Sequence, residues 1–247
     1  LGQNITGLSR RKMRPFRKQL QIVFQDPFSS LNPRMKAGDI VGEPLSIHKI
    51  ASGREQQRFV AEVFERVGLR PDQMDRFPHE FSGGQRQRLS IATALIVKPQ
   101  GIVADEPVSA LDVSIQASII NLLIRLQKEM GLSFLFISHD MSVVEHVSHR
   151  VAVMYLGRIV ELTDRPKLFS APQHPYTEAL LSAVPVPKPA AARKKRTILH
   201  GEIPSPINPP KGCHFHTRCP IAVERCRVES PALREVRPAH WAACHLR

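Results

Sequence analysis

The stretch Pro78–Asp112 constrains the fold of this chain more than any other part of the sequence. It begins with two glycines flanked by a serine and a glutamine, and a helical pattern follows them. Glycines let the backbone approach a ligand closely, and the first turn of a helix offers unpaired N–H groups at the positive end of its dipole. We therefore expect phosphate oxygens to bind here, with a plain glycine turn before an amphipathic helix as the alternative. The predicted binding residues are Ser82, Gly83, Gly84 and Gln85.

A second motif follows the glycine motif after about 20 residues, a separation that one helix can span. The apolar run Ile102–Ala104 ends in Asp105, Glu106 and Pro107. An apolar strand that delivers two carboxylates at its carboxyl end presents a metal ligand and a base to bound phosphates. Alone, this pattern is equally compatible with an acidic boundary between a strand and a turn. The two motifs together predict nucleotide chemistry.

These motifs resemble those of a known family. FSGGQRQR followed by IVADEPVSALD is similar to the signature motif, the Walker B strand and the D-loop of ABC transporter ATPase subunits. The segments VFQDPFSSLNPRM and HPYT resemble the dipeptide/oligopeptide importer branch of that family. The resemblance implies an α/β fold: a RecA-like P-loop NTPase core with an inserted helical subdomain and a small cysteine-bearing C-terminal extension. It also implies an ATP-hydrolysing subunit that powers the import of di- or oligopeptides.

The resemblance assigns the residues of ATP hydrolysis. Glu106 would polarise the attacking water, and His139, which follows an apolar strand, would be the switch histidine that contacts the γ-phosphate. Asp105 would hold Mg²⁺, and Gln25 would be the Q-loop residue that contacts Mg²⁺ and water. Without the resemblance, a structural histidine and a surface amide are the ordinary interpretations of His139 and Gln25.

The resemblance also implies a division of labour between two subunits. The signature residues would contact a nucleotide bound by the second subunit, and the carboxylate of Asp112 would cross between the paired subunits. Asp112 also stands where an acidic side chain caps the following helix, and both roles are compatible. ATP and Mg²⁺ are therefore the expected ligands.

The amino end of the chain carries a further expectation. Leu1–Gly7 suggests the tail of a hairpin, and the sequence contains no GxxxxGK[ST] segment. In the family this P-loop lies upstream of such a hairpin, so we expect an amino-terminally truncated sequence. The same resemblance predicts core residues with the Q-loop in 1–40 and the helical subdomain with the signature motif in 41–97. The Walker B strand, D-loop and switch histidine fall in 98–165, and the extension in 166–247.

All four cysteines lie near the carboxyl end, and a cytosolic setting makes disulfides between them improbable. Their spacing is looser than the CxxC pairs of zinc ribbons and suits a four-iron cluster better than a single ion. In some family members the matching cysteines bind a [4Fe–4S] cluster, which we carry over, with zinc and plain buried thiols as the alternatives. The predicted ligands are Cys213, Cys219, Cys226 and Cys244.

Composition and charge limit the kinds of partner that this chain can bind. The net charge of +13 suits nucleic acid, an anionic membrane surface or phosphate ligands, but the basic residues are scattered and lack interleaved aromatics. We therefore expect no nucleic-acid partner. The chain has no signal-peptide core and no apolar run of the ~18–20 residues that span a bilayer. The Pro- and Ala-rich segment Ala183–Pro210, with its basic run at Arg193–Arg196, indicates a semi-rigid linker.

The expected location is the cytoplasmic face of the plasma membrane. The partners implied by the resemblance are a second ABC ATPase subunit, two transmembrane permease subunits and an extracytoplasmic solute-binding protein. Two alternatives stay open from the sequence. One is a catalytically incomplete subunit that supplies only its signature motif, because the P-loop is missing; the other is a soluble ABC ATPase outside transport, which would lack an importer-type extension.

Overall fold

A computed structural model describes residues 4–184, 199 and 201–247 of the chain. The chain divides into two compact units, Leu1–His139 and Asp140–Arg247. The predicted linker residues 185–198, with their basic run, lie outside the described part. Of the predicted hairpin tail Leu1–Gly7, the structure describes residues 4–7, which lie in a turn closed by the N–H of Leu8 donating to the carbonyl of Ile5 at 3.3 Å.

A three-stranded parallel sheet organises the first unit. Its strands are β1 (Leu20–Val23), β2 (Gly101–Asp105) and β3 (Ser133–Ile137), in the order β1-β2-β3. Val23 lies opposite Ala104, and Asp105 lies opposite Ile137. The carboxyl ends of the strands therefore meet at one edge of the sheet, where α/β proteins place their ligands.

Among the described residues of the first unit, six α-helices accompany this sheet. In chain order they are α1 (Arg10–Gln19), α2 (Pro27–Ser30), α3 (Ala37–Ile47), α4 (Gly53–Arg66), α5 (Gly83–Leu95) and α6 (Val113–Met130). Short 3₁₀ turns cover Pro71–Asp75 and Pro78–Glu80. The buried side chains of α5 are mostly aliphatic, and α5 packs against both β1 and α6. On the sheet, Ile102 and Ala104 are buried, whereas Ile22 and Leu135 on the opposite face are exposed.

Local chemistry explains where these helices begin and end. Asp112 accepts the N–H of Ile115 at the start of α6, and Gly131 ends that helix in the left-handed conformation at φ 64°. The helix α1 was not predicted, because its ten residues include six cations and a proline and bury no side chain.

The second unit is built on an antiparallel sheet in the order β4-β5-β7-β6. The strands are β4 (Arg150–Tyr155), β5 (Arg158–Asp164), β6 (Arg234–Arg237) and β7 (His240–Ala242). The helices are α7 (Met141–Val147), α8 (Arg165–Ser170), α9 (Pro175–Ala183) and α10 (Glu224–Val228). Tyr155, Leu168 and Phe215 form the centre of its apolar core.

Candidate active site

Glu106 lies at the centre of the polar cluster at the carboxyl edge of the parallel sheet. It follows β2 directly, adopts a left-handed backbone with φ 44°, and donates its N–H to the carbonyl of Ile137 at the end of β3. A non-glycine residue in this conformation is uncommon and is held only where its surroundings determine it. The side chain is 24% exposed, so the carboxylate is accessible from solvent.

Two side chains from the neighbouring strand ends contact this carboxylate. Nε2 of Gln25 donates to Oε2 of Glu106 at 3.0 Å, and Nδ1 of His139 lies 3.1 Å from Oε1. Gln25 comes two residues after β1, and His139 comes two residues after β3. The sheet therefore brings together three residues that are separated by long stretches of sequence. Such a cluster can orient a water molecule and accept its proton.

Asp105 is the last residue of β2 and precedes Glu106. Asp105 keeps the extended backbone of the strand, whereas Glu106 has the left-handed one, so the two carboxylates start from residues of different backbone conformation. The turn after Gln25 is fixed independently: Asp26 caps α2 by accepting the N–H of Phe28 at 2.9 Å. Pro27 occupies the first position of that helix, which its fixed φ favours.

The signature residues form the amino end of α5. Oγ of Ser82 accepts the N–H of Gln85 at 3.3 Å, and Oε1 of Gln85 accepts the N–H of Ser82 at 3.0 Å, which makes a capping box. Gly83 is exposed and Gly84 is buried. The sequence did not reveal that Gln85 takes part in this cap.

Asp112 caps α6, as its position predicts. Its Oδ1 accepts the N–H of Ile115 at 3.0 Å and the hydroxyl of Ser114 at 2.8 Å. These two hydrogen bonds stabilise the carboxylate and lower the pKa of Asp112 below its ordinary value. The capping role is therefore confirmed, and the role across a subunit interface stays a prediction.

The four cysteines are free thiols in the second unit, two of them buried and two half-buried. Burial raises the pKa of Cys213, and it raises the pKa of Cys219 to about 11, with a smaller contribution from the neighbouring cysteines in both cases. The backbone also joins this region, since Cys213 donates its N–H to the carbonyl of Cys226 at 2.8 Å. Within the described residues, no three His, Cys, Asp or Glu side chains are arranged to hold a metal ion.

Comparison with known proteins agrees with this geometry. The family model "ABC transporter" matches residues 2–109, and "Oligopeptide/dipeptide transporter, C-terminal region" matches residues 160–226. The chain is 56% identical over its full length to the "Probable peptide ABC transporter ATP-binding protein y4tS" of Sinorhizobium fredii, and it covers 69% of that protein. The chain belongs to the ATP-binding subunits of ABC transporters.

Further relatives and solved structures agree with this assignment. The "Oligopeptide transport ATP-binding protein AppF" of Bacillus subtilis is 56% identical over 99% of the chain, which covers 75% of that protein. Among solved structures, cbiO1 from Clostridium perfringens, part of the ABC transporter complex cbiONQ, matches with 28% identity and a TM-score of 0.59, covering 66% of this chain and 64% of that one. The ATP-binding cassette MJ0796, in a post-hydrolysis state with ADP and Pi, matches with 28% identity and a TM-score of 0.57, covering 64% and 68%.

The family membership and the fold class predicted from the sequence are therefore confirmed for this ABC subunit. In the described part of the subunit, no helix is long and apolar enough to cross a membrane. The residue roles and the domain boundaries stay predictions. The iron–sulfur cluster was inferred from the resemblance, and the comparisons lend it no support.

Sequence reasoning missed one polar cluster, in the second unit of this ABC subunit. The side chain of Glu161 is fully buried and accepts the N–H groups of Gln173 at 2.7 Å and of His174 at 2.9 Å. Nε2 of His240 lies 2.6 Å from the same carboxylate. Glu161 thereby connects β5, β7 and the start of α9. The HPYT motif contains His174, but nothing in the sequence spacing pointed to Glu161 as its partner.

Proposed function

We propose that this chain is the ATP-hydrolysing subunit of an importer for di- or oligopeptides. The relatives named above are peptide and oligopeptide transport proteins. The carboxyl-terminal region of this chain matches the family model of the oligopeptide/dipeptide transporter C-terminal region. The single observation that carries the catalytic part is the carboxylate of Glu106, contacted by the side chains of Gln25 and His139.

Each residue at the sheet edge takes a separate role. Glu106 accepts the proton of the attacking water, and Gln25 holds that carboxylate and the water in place. His139 donates from the exposed side of the cluster, toward the oxygens on which negative charge develops. Asp105, with Gln25, would hold Mg²⁺, which would supply charge neutralisation to the phosphate groups. The change of backbone conformation between Asp105 and Glu106 is compatible with this division, because a ligand and a base need different directions.

The signature residues and Asp112 act on the nucleotide of a second subunit. The exposed Gly83, at the amino end of α5, leaves N–H groups and a positive helix end available to phosphate oxygens. The assembly contains a second ABC subunit and two permeases and receives solute from an extracytoplasmic binding protein. Its ATP-binding subunits lie at the cytoplasmic face of the membrane. Within the transporter, ATP binding pairs the two subunits and hydrolysis releases them.

Reconstituted transport tests this function. The assembled transporter in vesicles should hydrolyse ATP and take up a di- or oligopeptide, and both activities should stop together in Glu106→Gln. The matched control is Glu129→Gln, which removes only an exposed ion pair with Arg125 on the same unit. Hydrolysis without peptide uptake, for every peptide tried, would reject the substrate class; equal loss in both variants would reject the role of Glu106.

For the cysteines, we propose a four-thiolate site that holds a [4Fe–4S] cluster, with zinc as the alternative metal. Two observations support it. The backbone joins two of the four cysteines, since Cys213 donates its N–H to the carbonyl of Cys226 at 2.8 Å. Beside two of the four, Nδ1 of His214 and Nε of Arg218 are buried and find no hydrogen-bond partner among the described residues. Such orphaned polar atoms suit a site that a bound group completes.

Metal analysis tests this site in the complete protein purified without oxygen. We expect about four iron and four sulfide per chain in the wild type, a count that follows from the cluster type. Cys213→Ser should lose the metal, whereas His245→Gln should retain it, because Nε2 of His245 already bonds the carbonyl of Glu229. Detection of zinc without sulfide would show that the site holds zinc and not an iron–sulfur cluster. Full retention of metal in Cys213→Ser would reject the four-thiolate site.

A further inference from the structure

The first turn of α5 packs directly against the first turn of α6. A Cβ atom built on Gly84 would lie 2.5 Å from Cγ2 of Ile115, a separation that real Cβ atoms essentially never show. Cγ2 is attached to the Cβ of a β-branched residue in a helix, where χ1 is strongly restricted, so this methyl group has little freedom to move aside. The glycine at position 84 is therefore required by a neighbour in the same subunit, independently of any ligand.

The position of Ile115 depends in turn on the D-loop. Its N–H donates to Oδ1 of Asp112 at 3.0 Å, and Nε2 of Gln116 donates to the carbonyl of Leu111 at 2.9 Å. Both hydrogen bonds hold the first turn of α6 against the two residues that precede it. The methyl group that excludes a side chain from Gly84 is thereby attached to the D-loop backbone.

A second contact lies one helical turn further along both helices. Nη2 of Arg88 donates to Oγ of Ser118 at 2.8 Å, and Nη1 of Arg88 donates to the carbonyl of Val67 at the end of α4. Residues four apart on α5 and three apart on α6 share one face of their helices, so the two contacts lie in one seam. Two contacts in one seam determine both the distance between α5 and α6 and their register.

We propose that Ile115 is a positioning residue that sets the spacing between the signature motif and the D-loop, and that position 84 is glycine because Ile115 fills the space of a side chain. The two motifs then move as one block. The catalytic meaning of this block rests on the proposed function, in which both motifs face a nucleotide on the second subunit. Displacing one motif relative to the other would prevent them from contacting the same nucleotide.

The neighbouring glycine provides a matched control. A Cβ atom on Gly83 would lie 3.5 Å from Cδ2 of Leu111, which is ordinary van der Waals contact, and Gly83 is exposed. Packing within the subunit therefore permits alanine at position 83. A loss of activity in Gly83→Ala would therefore result from contact of the new methyl group with the nucleotide. Replacing Ile115 should not restore that activity.

The test adds a side chain at position 84 and removes the opposing methyl group at position 115. Leucine has no methyl group on its Cβ, so Ile115→Leu conserves volume but removes the atom that would meet a side chain at position 84. The assembled transporter is prepared with each of five variants. Three concern the packing contact: Gly84→Ala, Ile115→Leu and Gly84→Ala/Ile115→Leu. Two are controls: Gly83→Ala and Gly83→Ala/Ile115→Leu. The measurements are kcat and KM for ATP hydrolysis and the thermal unfolding midpoint of each purified subunit.

Gly84→Ala should lower kcat/KM by about 100-fold, because a misplacement of about 1 Å in a reacting assembly costs that much. The double variant should return to within about threefold of Ile115→Leu alone, because mutations of contacting residues are not additive. The thermal midpoint should fall in Gly84→Ala and recover in the double variant. Any loss in Gly83→Ala should be the same with either residue at position 115.

Two results would overturn the proposal: near-normal kcat/KM in Gly84→Ala, or a double variant as impaired as Gly84→Ala. If Gly84→Ala does not fold, recovery of folded protein in the double variant supports the contact, and its failure to fold rejects it. A wild-type transporter without ATP hydrolysis would reject the proposed function instead. The thermal midpoints of the wild type, Gly84→Ala, Ile115→Leu and Gly84→Ala/Ile115→Leu would still decide whether Ile115 excludes a side chain at position 84.

Discussion

The side-chain amide of Gln25 donates to the carboxylate of Glu106 at 3.0 Å, across the carboxyl edge of a parallel sheet. The amide is the neutral counterpart of a carboxylate, so it can bond Glu106 without competing for its proton. The Q-loop is thereby connected to the proposed base. Several consequences of this connection can be measured.

Replacing Gln25 by glutamate should shift the pH dependence of ATP hydrolysis to higher pH. Two carboxylates about 3 Å apart cannot both ionise readily, which raises the pKa of the pair. The proposed base would then lose its proton at a higher pH, and the rising limb of the kcat profile would move to higher pH. Gln25→Ala is the control: it should lower kcat and move the profile much less, because it removes one hydrogen bond to the carboxylate without adding a second charge. If the kcat profile of Gln25→Glu did not shift, the side chain at position 25 would not act on the proposed base.

Replacing His139 by glutamine should lower kcat by about 100-fold, the lower range for loss of a positioned proton-transfer or charge-stabilising group. The dissociation constant of ATP should change little, because the side chain is 72% exposed and contributes little to the packing of the site. The control is His79→Gln, an exposed histidine of the same unit that stacks on Phe77. Equal kcat in both variants would contradict a catalytic role for His139.

Glu161→Ala should destabilise the second unit by about 3–5 kcal/mol, the cost of removing one partner from a buried polar cluster. It leaves the N–H groups of Gln173 and His174 and the ring of His240 without their acceptor. Urea unfolding can be followed by the fluorescence of Trp241, the only tryptophan in the sequence.

The control for this prediction is Glu178→Ala, which removes an exposed pair with Arg247 and should cost less than about 1 kcal/mol. If both variants unfold at the same urea concentration, the buried carboxylate does not stabilise this unit.

Acid should destabilise the second unit through His174. Burial lowers the pKa of His174, the carboxylate of Glu161 partly opposes this and Arg247 adds a smaller lowering, with a net pKa of about 4. In the unfolded chain the ring titrates near 6.5, so between pH 6.5 and 4 the unfolded state takes up the proton and the folded state does not. The free energy of unfolding should therefore fall as the pH drops through this interval, and stay constant above it as far as this residue is concerned.

His174→Asn should reduce that pH dependence, because asparagine can replace the ring as the cap of α9 but does not titrate. In the wild type, Nδ1 of His174 accepts the N–H of Tyr176 at 3.1 Å, which requires the neutral ring. The comparison is urea unfolding of both proteins at pH 7 and pH 5. The same difference between the two pH values in both proteins would show that His174 does not cause the acid sensitivity.

The sequence predicted those parts of the site that depend on strand ends. Asp105, Glu106 and His139 follow apolar runs, and parallel strands necessarily end at the same edge. The cap at Asp112 and the end of α6 at Gly131 were also predictable, because both depend on neighbours within a few residues. The importance of Gln25 came from the family resemblance and not from its local sequence.

Other features depended on packing between distant segments. The contact between Gly84 and Ile115 requires knowing how closely two helices approach, which hydrophobic periodicity does not specify. Glu161 occupies an inward position of β5 where an apolar residue would be expected, and its partners come from α9 and β7. A buried carboxylate is identified only when its donors are known, and those donors are assembled by the tertiary structure.

The most direct test of the account is ATP binding and turnover by the Glu106→Gln variant in the assembled transporter. The amide keeps the shape of the carboxylate and can still bond Gln25, but it cannot accept a proton from water. The account predicts an unchanged dissociation constant for ATP and a loss of turnover of at least about 100-fold, within the range for a general base. Turnover equal to the wild type would contradict it, and would leave this chain as a subunit that acts only through its signature motif.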